Sequence, residues 1–338
     1  MEEVGAVDPH VAFTLIRICG GFCKLVHLAR TTPPLHATKA FQIFDEDVRK
    51  CFAQCTAVDT SDHAWHQARL SLSRGGQGLR SLAQHSPAAY IASLCTSGFG
   101  PQSQHHLVSA TQMFNSFLPP SEAINAEALL LTPVTQKSLS SKLDDYLFKV
   151  LLDMSSITDK ARLLSVSSPH AGLWLSVTPS EGLGLHLDPS QFQVAIKWWL
   201  GLDLSYGSCC PLCPEIALGP LGHHVVSRHN KLRDILAESC WRAHLGVQVE
   251  MAAFDLSVTS PLNPTTLLET SVTVGVAALT TELRKHSSND TKCKELDWVC
   301  VPLVVESYGA WGKEALESIS QLASRLANKA KSVNSTGS

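Results

Sequence analysis

The sequence predicts an α+β protein: a mostly helical domain over residues 1–200, then a small α/β domain over 230–328, separated by a cysteine- and histidine-rich segment at 207–229. Three observations carry that expectation. Apolar residues recur at three- and four-residue spacing through the first 200 positions. Runs with strand character appear only late, at 247–250, 253–258 and 299–305, with helical patterns around them. The chain has 338 residues, 44% hydrophobic and 17% charged, which is enough apolar material for two cores of ordinary size.

Pro33-Pro34, Gly75-Gly76, Pro101 and Pro119-Pro120 punctuate the helical part. They separate candidate helices near 9–30, 37–57, 62–72, 79–97, 104–117, 136–153 and 188–200. Residues 170–187 are rich in Ser, Gly and Pro and read as loops with at most brief strands. After Gly207 the expected order is α-β-β-α-β-α. It comprises a helix near 230–244, strands at 247–250 and 253–258, a helix over 264–286, a strand at 299–305 and a last helix over 310–327. The polar tail 329–338 is expected to be disordered.

A formal charge of -3 excludes a positive field along the whole chain, so any contact with DNA or RNA has to be local and is assigned to the C-terminal domain. The N-terminal apolar run has no basic region before it and is interrupted by Arg17 and Lys24. It is therefore read as neither a signal peptide nor a membrane span. The stretch Ser81 to Ser121 is too polar to span, and Thr270 to Thr281 is about half the length required. An intracellular protein with no membrane partner is expected. The eleven cysteines then read as thiols or metal ligands rather than disulfides. Cys19 with Cys23, and Cys51 with Cys55, are each four apart and are expected to pack on a helix face.

Two groups of residues suggest chemistry. Cys210-Pro-Leu-Cys213 followed by His223, His224 and His229 approximates a Cys2His2 zinc site, either occupied by zinc or the relic of one. Asp255 stands in the middle of an apolar strand pattern, where a charge is costly unless paired. It is either a magnesium ligand in a phosphodiester-cleaving site or a solvent-facing residue on an edge strand. Tyr308 and Trp311, after Glu306, are expected to pack on the sheet at a helix entry rather than to stack on bases. Arg284, Lys285, Lys292 and Lys294 read as the solvated cationic end of a helix.

Several stretches together resemble the part downstream of the polymerase in reverse transcriptases of LINE-type retrotransposons that carry a restriction-like endonuclease. They are Ala68-Arg-Leu-Ser-Leu-Ser-Arg-Gly-Gly-Gln-Gly-Leu-Arg-Ser-Leu82, Cys210-Pro-Leu-Cys213, Gly222-His-His224, Arg228-His-Asn-Lys-Leu-Arg-Asp234, Ala253-Phe-Asp-Leu-Ser-Val-Thr-Ser-Pro-Leu262 and Val305-Glu-Ser-Tyr-Gly-Ala-Trp-Gly312. The likeness covers nearly the whole chain. It implies a helical thumb and linker, a zinc knuckle, and a nuclease core of the PD-(D/E)xK type. By position it implies knuckle ligands at Cys210, Cys213 and one of His223 or His224. For the nuclease it implies Asp255 as the second acid, Asp234 or Glu238 as the helix acid, and Lys285 in place of the usual lysine, because Ser257 occupies that position.

The departures from that family bear on activity. Val225-Val226-Ser227 runs straight into Arg228, so the fourth knuckle ligand is missing unless His229 replaces it. The strand that would carry the first metal-binding aspartate is missing between Glu250 and Met251. One carboxylate binds magnesium too weakly to position a nucleophilic water. The expectation is a truncated retrotransposon product, ancestrally a DNA-binding and nicking module, with no reverse transcriptase core and with cleavage impaired. Its competitor is a non-enzymatic helical scaffold.

Overall fold

The structure is a computed structural model that describes residues 7–58, 60–97, 103–132, 134–204 and 251–335. The chain divides into two compact units, Met1–Met154 with Gly172–Leu202, and Ser155–Ala171 with Asp203–Ser338. The α+β class holds, with helix dominant and one two-stranded sheet among the described residues. Residues 155–171, expected within the helical domain 1–200, belong with the second unit.

The first unit is all-helical among its described residues. Its helices are α1 (Pro9–Leu15), α2 (Phe22–Thr31), α3 (Pro34–Thr56), α4 (Asp62–Ala68), α5 (Leu82–Ser97), α6 (Ser103–Asn115), α7 (Ala126–Leu131), α8 (Gln136–Asp153), α10 (Leu173–Ser176) and α11 (Pro189–Leu200). The helix α9 (Ile157–Val166) lies in the second unit. Neither α7 nor α9 was expected, because each is short and its start is marked by a single capping side chain, Asn125 and Ser156 respectively. In 170–187 only α10 and one 3₁₀ turn form, without strands.

Helix α5 is the centre of the unit and is buried on nearly every side, packing against α2, α3, α6 and α8. Ile91, Leu107, Phe114 and Leu143 form one core around it; Ala29, Phe41, Leu82 and Ala89 form another. Its Pro87 has no N–H to give the Ala83 carbonyl, and the Ser86 hydroxyl donates there instead, at 3.3 Å. Asp45 on α3 caps α5 from a distance, accepting from Ser81 Oγ and Leu82 N, both at 2.6 Å, and from Ala83 N at 3.1 Å.

Helices α1 and α2 are joined by a π turn, Ile16–Gly20. Together, Pro9–Thr31 is long and apolar enough by length and composition to cross a membrane, with mean hydropathy 1.6. Within the unit its residues Ala12, Phe13, Ile16 and Ala29 are buried. Cys51 and Cys55 are buried as expected, and burial pushes the Cys55 thiol up to about 12. Cys19 and Cys23 are instead exposed, Cys19 in the π turn and Cys23 beyond Gly21 in α2.

His85 is fully enclosed beside α8, with Nδ1 3.2 Å from Ser140 Oγ and Nε2 3.6 Å from Asp144 Oδ1. Burial, followed by the cations of Arg80 and Arg69, drives its pKa from 6.5 down to about 3. The folded unit therefore keeps His85 neutral while the unfolded chain protonates it below 6.5. Stability from this group is present above that value and lost as pH falls toward 3. Between about pH 6 and 5, urea melts should show the wild type losing about 1 kcal/mol more than His85→Gln.

The second unit holds α9, β1 (Met251–Thr259), α12 (Leu267–Thr270), α13 (Val276–Glu295), β2 (Trp298–Glu306) and α14 (Lys313–Ser335). Strands β1 and β2 pair in parallel with Ala253 opposite Cys300 and Asp255 opposite Pro302, and α13 is the crossover that a parallel pair requires. Both strands lie at the expected places; the expected helix at 230–244 and strand at 247–250 lie outside the described residues. The single helix expected over 264–286 is two helices, since Gly275 adopts φ +78 before α13 and the helix then runs on to Glu295. The last helix extends to Ser335 rather than ending near 327. On one face of the sheet, Leu256 and Leu303 pack with Val301, Trp311 and Ala315. Tyr308 is buried, so both aromatics take the packing role.

Candidate functional site

The chemistry-bearing side chains of the second unit converge on α13, because two adjacent stripes of that helix face polar partners. Residues three and four apart share a stripe. One stripe holds Lys285 and Asn289; the other holds Glu282, His286, Asp290 and Cys293.

The first stripe meets Asp255. Strand alternation places Asp255 on the same face as Ala253, and the register puts Cys300 beside them on β2. Lys285 Nζ lies 2.5 Å from Asp255 Oδ1, and Asn289 Nδ2 donates to Asp255 Oδ2 at 2.9 Å. Both carboxylate oxygens are thus occupied. Lys285, which by its charge alone read as part of a solvated helix end, points inward, with its side chain only 18% exposed. The resemblance had placed it with Asp255, and the structure brings these two site residues together.

The second stripe holds α14 and β2. Glu282, 3% exposed, accepts from the backbone N–H of Glu314 at 3.3 Å and from those of Lys313 and Ala315, capping the start of α14. Burial, reinforced by the negative charge of Glu314, raises its pKa. Glu306 at the end of β2 plays the same part for α13. It is 2% exposed, accepts from Ala278 N at 3.3 Å and from Ala277 N, and burial raises its pKa. Gly275, the residue before α13, has no side chain to do this.

His286 sits between two carboxylates, with Nδ1 2.8 Å from Asp290 Oδ1 and Nε2 2.6 Å from Glu314 Oε1. Those hydrogen bonds, the one to Asp290 first, raise its pKa. Cys300 lies alongside, so donor atoms of His286, Asp290 and Cys300 are all within 4.8 Å of one another. Among the described residues this is the one such cluster of three metal-ligating side chains, and Asp255 is not a member.

Cys210, Cys213, His223, His224 and His229 of the expected knuckle lie outside the described residues, as do Asp234 and Glu238. Sequence reasoning missed His286, Asn289, Asp290, Cys293 and Cys300. The expected helix stopped at 286, so the spacing His286, Asp290, Cys293 was not recognised as one helical stripe. Neither a protein-family model nor a curated protein sequence matches this chain.

Proposed function

We propose that the second unit derives from a restriction-like endonuclease of a LINE-type retrotransposon and contacts DNA without cutting it. The observation that carries this reading is the state of Asp255: Lys285 and Asn289 hold its two oxygens, and among the described residues it belongs to no group of three metal-ligating side chains. A nuclease needs such acids free to hold a divalent ion that activates water and stabilises charge on the phosphate. A carboxylate neutralised by an ammonium group loses the charge that attracts the ion, while the strand and the acid remain from the ancestral site and Lys285 stands in for its lysine.

The test is plasmid nicking with magnesium or manganese by the full chain and by Asp255→Ala. The two are expected to give the same background, while Asp255-dependent nicking would refute the loss of cleavage. DNA affinity measured against salt concentration tests the other half. Binding that weakens linearly on a log–log plot supports phosphate contacts. No binding at low salt would refute the DNA contact and favour the scaffold reading.

A further inference from the structure

We propose that the end of α13 and the facing strand β2 form a zinc site whose ligands are His286 Nδ1, Asp290 Oδ1, Cys293 Sγ and Cys300 Sγ. His286, Asp290 and Cys293 are four and three residues apart on α13 and so rise from one side of the helix. Cys300 reaches the same point from β2, with its donor atom and those of His286 and Asp290 within 4.8 Å of one another. Cys293 interacts with the Cys300 thiol from the next turn of α13 and is the fourth donor, turning in from outside that group of three. Both cysteines are nearly buried, at 9% and 7% exposure.

Tetrahedral zinc, with bonds of about 2.3 Å to sulfur and about 2.0 Å to nitrogen, sets its donors about 3.3–3.8 Å apart. The donors of His286, Asp290 and Cys300, already within 4.8 Å of one another, have to draw together on an ion, and Cys293 has to turn in to join them. A second, independent feature is the hydrogen bond from His286 Nε2–H to Glu314 at 2.6 Å. It keeps a proton on Nε2, so that once Nδ1 gives up the proton it now shares with Asp290 its lone pair faces Asp290 and Cys300, the carboxylate–histidine arrangement that orients metal-bound imidazoles. Two thiolates select zinc over magnesium, and four protein ligands leave no open coordination position. The ion is therefore structural: it ties the last turns of α13 to β2 across the tight turn where Asp297 adopts φ +56. Uptake releases the two thiol protons and the proton on Nδ1. The site is independent of the nuclease reading, since it uses neither Asp255 nor the Cys210–Cys213 segment.

Cobalt(II) spectroscopy of the full chain carrying Cys210→Ser and Cys213→Ser tests the assignment with the knuckle cysteines removed. One equivalent of cobalt is expected to give a thiolate charge-transfer band and the intense visible absorption of tetrahedral cobalt. Zinc should abolish both, and adding Cys293→Ser with Cys300→Ser should prevent them. Absence of a tetrahedral spectrum in the folded double variant would overturn the assignment. If that variant does not fold, thiol alkylation mapped by mass spectrometry on the unaltered chain decides instead. Zinc should slow labelling of Cys293 and Cys300 at least tenfold, reversibly by chelator. Unchanged labelling at these two positions, even with protection at Cys210 and Cys213, would overturn it.

Discussion

Gly76→Ala is expected to destabilise the first unit by about 3 kcal/mol, the upper end of the usual range for a side chain forced into filled space. A Cβ at Gly76 would lie 2.0 Å from the Leu70 carbonyl oxygen and 2.4 Å from its carbon. Both obstacles are backbone, so no rotamer change relieves the clash. The loop cannot retreat either. Gly75 O accepts from Gln67 Nε2 at 2.9 Å and from Trp199 Nε1 at 2.8 Å, and Gly78 N donates to Leu70 O at 2.9 Å. Opening it would strand buried polar groups as well as move Trp199. Gly182→Ala, where nothing lies within 4 Å of the added carbon, is the matched control and should leave the denaturation midpoint within experimental error.

Glu306→Ala should cost the second unit about 2 kcal/mol, because it leaves the Ala277 and Ala278 amides at the buried start of α13 without an acceptor. Glu306→Gln keeps an acceptor there and removes the buried charge, so at neutral pH it should equal or exceed the wild type in stability. The sign follows from the raised pKa. The contribution of the protonated carboxyl is fully present below the unfolded carboxyl pKa and is lost as pH rises through the folded value. Urea melts should therefore show the gap between Glu306→Gln and wild type widening from about pH 4 to about pH 7. A gap independent of pH would mean that the carboxylate is not paying a desolvation cost.

The elements of this fold that sequence periodicity located were those with a single amphipathic or uniformly apolar pattern. The strands β1 and β2, and helices α3, α5, α8 and α11, fall close to their expected places. What it could not locate were features fixed by distant partners. Helix α13 runs on to Glu295 although residues 287–294 are polar, because Asn289 meets Asp255 and Cys293 meets Cys300 across the unit, while Asp290 pairs with His286 one turn back on the same helix. Glu282 and Glu306 look like ordinary acids in the sequence, yet Glu282 on α13 caps α14 and Glu306 on β2 caps α13. Asp255 was recognisable as an anomaly, a charge in an apolar strand, but its chemistry depends on a lysine thirty positions later. Spacing in the sequence left open whether that carboxylate faced a metal or solvent; the structure pairs it with a cation.

Manganese binding followed by electron paramagnetic resonance tests the neutralised carboxylate most directly, because manganese substitutes for magnesium at oxygen-ligand sites. The pairing of Asp255 with Lys285 and Asn289 predicts that wild type and Asp255→Asn leave the same concentration of free ion at every point of the titration. One equivalent bound by the wild type and lost in Asp255→Asn would contradict it, and would restore Asp255 to the role of a metal ligand.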